Sequence, residues 1–140
     1  MTEPPYRGAL TILVVEDEAV VRNVIMNCLV REDYRVLEAD SAAEALAVSQ
    51  TFPGTIDLLI ADHTLKTMTG RQVAEQIQQS RPGLKVLHIF GHSLEKLEQD
   101  GGLMAGAGFL AKPFSPKALV EKVDQMLAKP HNRSASGLNG

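Results

Sequence analysis

The chain has 140 residues, 44% hydrophobic and 22% charged, with 14 basic against 17 acidic side chains and a formal net charge of −3. This is the composition of one globular domain able to bury a core unaided, and it excludes a disordered tail or a disulfide-stapled miniprotein. No basic run and few aromatic residues (four Phe, two Tyr, no Trp) exclude a surface built to grip phosphodiester backbones, so no direct nucleic-acid contact is expected.

Cys28 is the single cysteine, which excludes an intrachain disulfide and favours a reducing compartment. Val21, Val24, Ile25 and Leu29 share its helical face, so it reads as a packed core thiol. No apolar stretch reaches the length of a membrane span, and "MTEPPYRG" lacks a signal-peptide core, so the expected location is cytoplasmic with no membrane contact. Residues 1–8, with Pro4-Pro5, and residues 130–140 read as flexible ends around a domain over 9–129.

In chain order, "LTILVV" (10–15) reads as a strand, and 19–32 carries apolar residues at helical spacing. "YRVLEA" (34–39) is a second strand. Ser41 followed by Glu44 is a capping box that opens the next helix. "IDLLIA" (56–61) is strand three, and a helix from Gly70 to Ser80 buries Val73, Ala74 and Ile77 before Arg81-Pro82-Gly83 stops it. "LKVLHIF" (84–90) is strand four. Over 93–106, Ser93 can cap a helix carrying Leu94 and Leu97, although Gly101, Gly102 and Gly106 weaken it. "GFLAK" (108–112) is strand five. Ser115-Pro116 then starts a last helix whose buried stripe is Leu119, Val120, Val123, Met126 and Leu127.

Strands alternating with helices imply an α/β fold, a doubly wound five-stranded parallel sheet covered on both faces. In such sheets the working crevice lies at the carboxyl ends of the strands. Those ends carry Glu16-Asp17-Glu18, Asp62, Phe90-Gly91-His92 and Lys112-Pro113. Taken singly, each has an ordinary reading as a turn residue, a first-turn acid or a surface lysine. Taken together, clustered carboxylates repel unless a cation sits among them, and a few oxygen ligands suit Mg²⁺. A lysine adds a point charge for a phosphate. The four histidines (His63, His88, His92, His131) lie on different segments without ligand spacing and read as neither metal ligands nor phosphodonors.

These residues resemble the receiver domain of two-component response regulators over about residues 10–128, closest in flavour to receivers of hybrid sensor histidine kinases. "ILVVEDE" is similar to the family's acidic strand, "DLLIADHTLKTMTG" to its phosphoacceptor strand and loop, and "GFLAKPF" to its lysine-proline strand. The resemblance implies a (βα)5 flavodoxin-like sheet in the order 2-1-3-4-5. It implies Asp62 as phosphoacceptor and Lys112 as the catalytic lysine. Glu16, Asp17, Asp62 and the Thr64 carbonyl would hold Mg²⁺, and His63, Thr64 and Gly91 would lie against the phosphoryl group. Phe109 falls at the switch aromatic, and Lys112-Pro113 is expected to be cis. The implied function is a phosphorelay signalling domain, not an enzyme. Its implied partners are a histidine kinase or histidine phosphotransfer protein, an unidentified downstream protein, and a second copy of the chain as a candidate homodimer.

Two residues depart from the family pattern. Lys66 stands where a proline usually stiffens the loop, so a more mobile loop is expected. Phe90 stands where a Ser or Thr hydroxyl usually binds the phosphoryl group and drives the switch. The alternative reading is therefore a pseudo-receiver: a docking module with weak or no phosphorylation-dependent switching. An aspartyl phosphatase would want a second acid two residues after Asp62, where Thr64 stands.

Overall fold

The computed structural model describes residues 9–91 and 104–128. Expectations for His92, for the helix starting at Ser93, for His131 and for both chain ends fall outside them. Five strands, β1 (Thr11–Val15), β2 (Arg35–Ala39), β3 (Leu58–Asp62), β4 (Lys85–Phe90) and β5 (Gly108–Ala111), form one parallel sheet in the order β2-β1-β3-β4-β5. The order reverses between β1 and β3, the place where such sheets open a crevice at their carboxyl edge.

Helices α1 (Ala19–Arg31), α2 (Ala42–Thr51), α3 (Gly70–Ser80) and α4 (Pro116–Leu127) cover the two faces. On one face Ile12, Val14, Leu58, Ile60, Leu87 and Ile89 pack with Ile25 and Leu29 of α1 and with Leu119 and Val123 of α4. On the other, Leu13, Val15, Leu59, Ala61 and Val86 pack with Ala45 of α2 and with Val73, Ala74 and Ile77 of α3. The alternation of strand residues between two cores explains why the strands read as unbroken apolar runs.

Local chemistry sets the helix starts. Ser41 accepts from the Glu44 N–H at 3.1 Å, but the Glu44 carboxylate reaches back to the N–H of Asp40, one residue before the expected partner. Thr69 and Gln72 form a full reciprocal box at α3. Ser115 accepts from the Ala118 N–H at 3.0 Å, with Pro116 at the first helical position.

Three details differ from the sequence reading. β3 begins at Leu58 rather than Ile56, and the Asp57 carboxylate accepts the Thr11 N–H at the foot of β1. β3 also includes Asp62, which pairs with Ile89 in the ladder. Val24 is 43% exposed rather than buried beside Cys28, because it lies about a quarter-turn from Ile25 on α1.

Candidate functional site

Two strand ends bring the acids together, and a third brings Lys112 to them. Glu16 extends β1 by donating its N–H to the Ala39 carbonyl at 3.1 Å, and its side chain is 1% exposed. Its Oε2 accepts the Glu18 N–H at 3.1 Å, and its carbonyl accepts from Arg22 Nη1 at 2.7 Å. Arg22 also donates to Glu38 of β2 at 3.1 Å, which ties the β1–α1 turn to the neighbouring strand.

Asp62 is held at both carboxylate oxygens. Oδ1 accepts the Thr64 N–H at 3.1 Å and Oδ2 accepts from Lys112 Nζ at 3.0 Å. The same ammonium lies 3.3 Å from Glu16 and 3.6 Å from Glu18. Burial pulls the Lys112 pKa down, but Asp62 and then Glu16 outweigh it and hold the ammonium above its usual value. Burial, followed by the charge of Asp62, pushes Glu16 up to about 7. The Lys112-Pro113 peptide is cis, as expected.

One ligand atom from each of Glu16, Asp17 and Asp62 lies within 4.8 Å of the others. Glu16 Oε1 is buried, and it has no hydrogen bond despite its ion-pair distance to Lys112. An all-carboxylate set of this kind has the chemistry of a hard divalent cation site, and Mg²⁺ fits it.

The loop after β3 is closed by backbone bonds where a proline was missed. Thr64 and Thr69 form an antiparallel bridge, and the Gly70 N–H donates to the His63 carbonyl at 2.9 Å. A Cβ on Gly70 would stand 2.4 Å from the Asp62 carbonyl oxygen, so only glycine lets α3 start against the acceptor strand. Lys66 is exposed on this loop. Among the described residues a Cβ on Gly91 would meet only Lys112 Cδ, at 3.6 Å, which leaves room for a small side chain.

His63 comes to the site by its backbone alone. Its N–H donates to the Ile89 carbonyl at 2.7 Å, and its ring lies near His88, with centroids 6.4 Å apart and edge to face. His88 stacks on Phe109 at 5.5 Å, and Phe109 meets Phe90 at 6.4 Å. Strand alternation puts these four rings on the α2/α3 face, whereas Asp62 lies on the α1/α4 face. Reading the sequence for ligand spacing named His88 only as neither metal ligand nor phosphodonor, and it assigned no role to Glu18 or Arg22. The signal for His88 was its place two residues before Phe90, on the same strand face.

A family model for the response regulator receiver domain matches residues 12–124. Sensor kinase CckA of Brucella abortus (strain 2308) is 33% identical over 122 residues, 87% of this chain but 13% of the kinase. The response regulator receiver protein CpdR of the same organism is 30% identical over 116 residues, 83% of this chain and 95% of the relative. This chain therefore spans a small part of one relative and nearly all of the other. A crystal structure of the receiver domain of the hybrid histidine kinase CckA superposes with a TM-score of 0.71 and 35% identity, covering 84% of this chain and 98% of that one. A CheY-like receiver domain from Methanospirillum hungatei JF-1 gives 0.76 at 29% identity, covering 86% and 94%. With so much of the sheet matched, and a relative of nearly equal span at this identity, the chain belongs to the response regulator receiver domain family.

Proposed function

We propose that this receiver accepts a phosphoryl group on Asp62 from the phosphohistidine of a histidine kinase or phosphotransfer protein, and signals through a protein partner. The observation that carries the reading is the contact of Asp62 Oδ2 with Lys112 Nζ at 3.0 Å, inside a set of acids that fits Mg²⁺. In the step, an Asp62 oxygen bonds to phosphorus as the phosphorus–nitrogen bond breaks. The electron pair stays on the donor imidazole, which takes up a proton, and Asp62 becomes an acyl phosphate.

Such transfers depend on positioning and charge neutralisation more than on covalent chemistry by the protein. The Thr64 N–H orients the Asp62 carboxylate, and Gly70 lets the acceptor strand and α3 meet without displacing it. Lys112 is placed to move from the Asp62 oxygen to a phosphoryl oxygen. Glu16, Asp17, Asp62 and the Thr64 carbonyl would hold Mg²⁺, which when bound supplies positive charge for the phosphoryl oxygens.

The test is incubation with Mg²⁺ and acetyl phosphate followed by intact mass measurement. The parent gains one phosphoryl mass, and Asp62→Asn gains none, because an amide is a poor nucleophile. Equal labelling of the two would remove Asp62 as acceptor. A docking module with muted switching is the second reading, favoured by the packing of Phe90 against Phe109.

A further inference from the structure

His88 lies within β4, 1% exposed, and among the described residues neither ring nitrogen has a hydrogen-bond partner. Buried polar side chains are nearly always hydrogen-bonded, and an orphaned one destabilises the conformation that orphans it. A neutral imidazole carries one donor and one acceptor, so both capacities are wasted here. A methionine or leucine would fill the same place in the strand without that loss. Burial, then His63 and Arg71, lower the pKa to about 4 and keep the ring neutral, with the Ala61 backbone opposing the shift.

The neighbours of His88 are rings. Phe109 stands directly across the ladder and stacks on it with 28° between the planes, and His63 meets it edge-on at 86°. Phe109 is only half-buried, so it has somewhere to go. It lies three residues before Lys112 on β5, and the Lys112 N–H donates to the Phe90 carbonyl at 2.8 Å. A pull on Lys112 at Asp62 is therefore transmitted to the strand that carries Phe109 and to the residue that abuts its ring.

We propose that His88 is a positioning residue for Phe109, its unpartnered imidazole disfavouring the stacked arrangement so that loading of Asp62 readily displaces the Phe109 ring. The inference rests on the phosphoacceptor reading above. Phe90 provides no hydroxyl to bind a phosphoryl group, so loading supplies a smaller difference between the two arrangements. A ligand shifts an equilibrium only by its differential interaction with the two states. Raising the free energy of the stacked state narrows the gap that this smaller difference must close. Once Phe109 leaves the stack, water reaches the imidazole and satisfies it.

The experiment measures the His88 imidazole ¹⁵N shifts and the Phe109 ring ¹³C shifts in the full chain, with and without Mg²⁺ plus beryllofluoride. The resting protein should show a neutral His88 ring free of hydrogen bonds, and loading should move one nitrogen in the hydrogen-bonded direction while the Phe109 signals shift. His88→Phe keeps a ring in the stack and removes the orphaned nitrogens. It should raise the Tm by roughly 3–8 °C and shrink the Phe109 response at least about twofold. His88→Met, which fills the site without a ring, should also raise the Tm. Hydrogen-bonded His88 nitrogens in the resting protein, or an undiminished response in both variants, overturn the proposal. The ¹⁹F signal separates the failures. Bound beryllofluoride with His88 and Phe109 unmoved sinks this inference alone, and no bound beryllofluoride sinks the phosphoacceptor reading with it.

Discussion

Replacing Glu16 by Gln keeps the shape of the side chain and removes one titration from the acidic cluster. In the folded protein that carboxyl is raised from 4.5 to about 7 by burial and by Asp62. Below pH 4.5 the group is neutral in both states and exacts no penalty. Between pH 4.5 and 7 the unfolded chain releases the proton while the folded protein retains it, so stability falls as pH rises. At about 1.4 kcal/mol for each unit, the loss from this group approaches about 3 kcal/mol by pH 8. The side chain is 1% exposed, so solvent screening removes little of this.

His88 acts in the opposite sense. Its pKa is lowered from 6.5 to about 4, so acidification through that window makes the unfolded chain take a proton the folded protein refuses. Stability is then lost as pH falls. Between pH 4.5 and 6.5 the two contributions offset each other, and the parent profile should be nearly flat in respect of them. Urea unfolding of parent and Glu16→Gln from pH 4.5 to 8, with EDTA present, separates them. The variant should gain about 3 kcal/mol relative to the parent across that range and reveal the slope of His88. A difference that stays constant within about 0.5 kcal/mol would refute the reasoning, because Glu16 would then be ionised throughout.

Two further outcomes follow from the same geometry. Asp17→Ala should weaken Mg²⁺ binding and make the cation-free protein more stable, since one of three mutually repelling carboxylates is gone; thermal unfolding against Mg²⁺ concentration checks both, and an unchanged Mg²⁺ response would exclude Asp17 as a ligand. Phe90→Thr should widen the beryllofluoride-induced amide shifts on β5 and α4, because a hydrogen bond to a charged group adds roughly 1.5–3 kcal/mol to the loaded state; equal shifts in parent and variant would show that Phe90 mutes nothing.

Most of this architecture could be read from the sequence because the central strands β1 and β3 are apolar on both faces and α2, α3 and α4 each start on a capping hydroxyl. Ser115-Pro116 and the Arg81-Pro82-Gly83 stop behave as local rules require. The Thr69–Gln72 box escaped notice because its Gln lies in a polar stretch without an apolar run to mark the helix start. The start of β3 was misplaced for a physical reason: Ile56 is buried like a strand residue, but the Asp57 side chain takes the Thr11 N–H. The acids and Lys112 were legible because strand ends converge in a parallel sheet whatever the helices do. The orphaned imidazole of His88 was not, since partner loss is a property of packing across strands and no local pattern encodes it.

The sheet separates the carboxylates and Lys112 from the aromatic rings. Glu16, Asp62 and Lys112 lie on the α1/α4 face, whereas His63, His88, Phe90 and Phe109 lie on the α2/α3 face. The two sets meet through backbone links, the Asp62–His63 peptide and the Lys112 N–H to the Phe90 carbonyl. Rings on one face can therefore be altered without displacing a carboxylate on the other, so a changed readout is compatible with intact acceptor chemistry. The acids themselves argue against a mere docking module. A buried Glu16 raised to about 7 beside Asp62 destabilises the folded protein at neutral pH. On the phosphoacceptor reading a divalent cation among these carboxylates would offset that cost, which a docking surface would not.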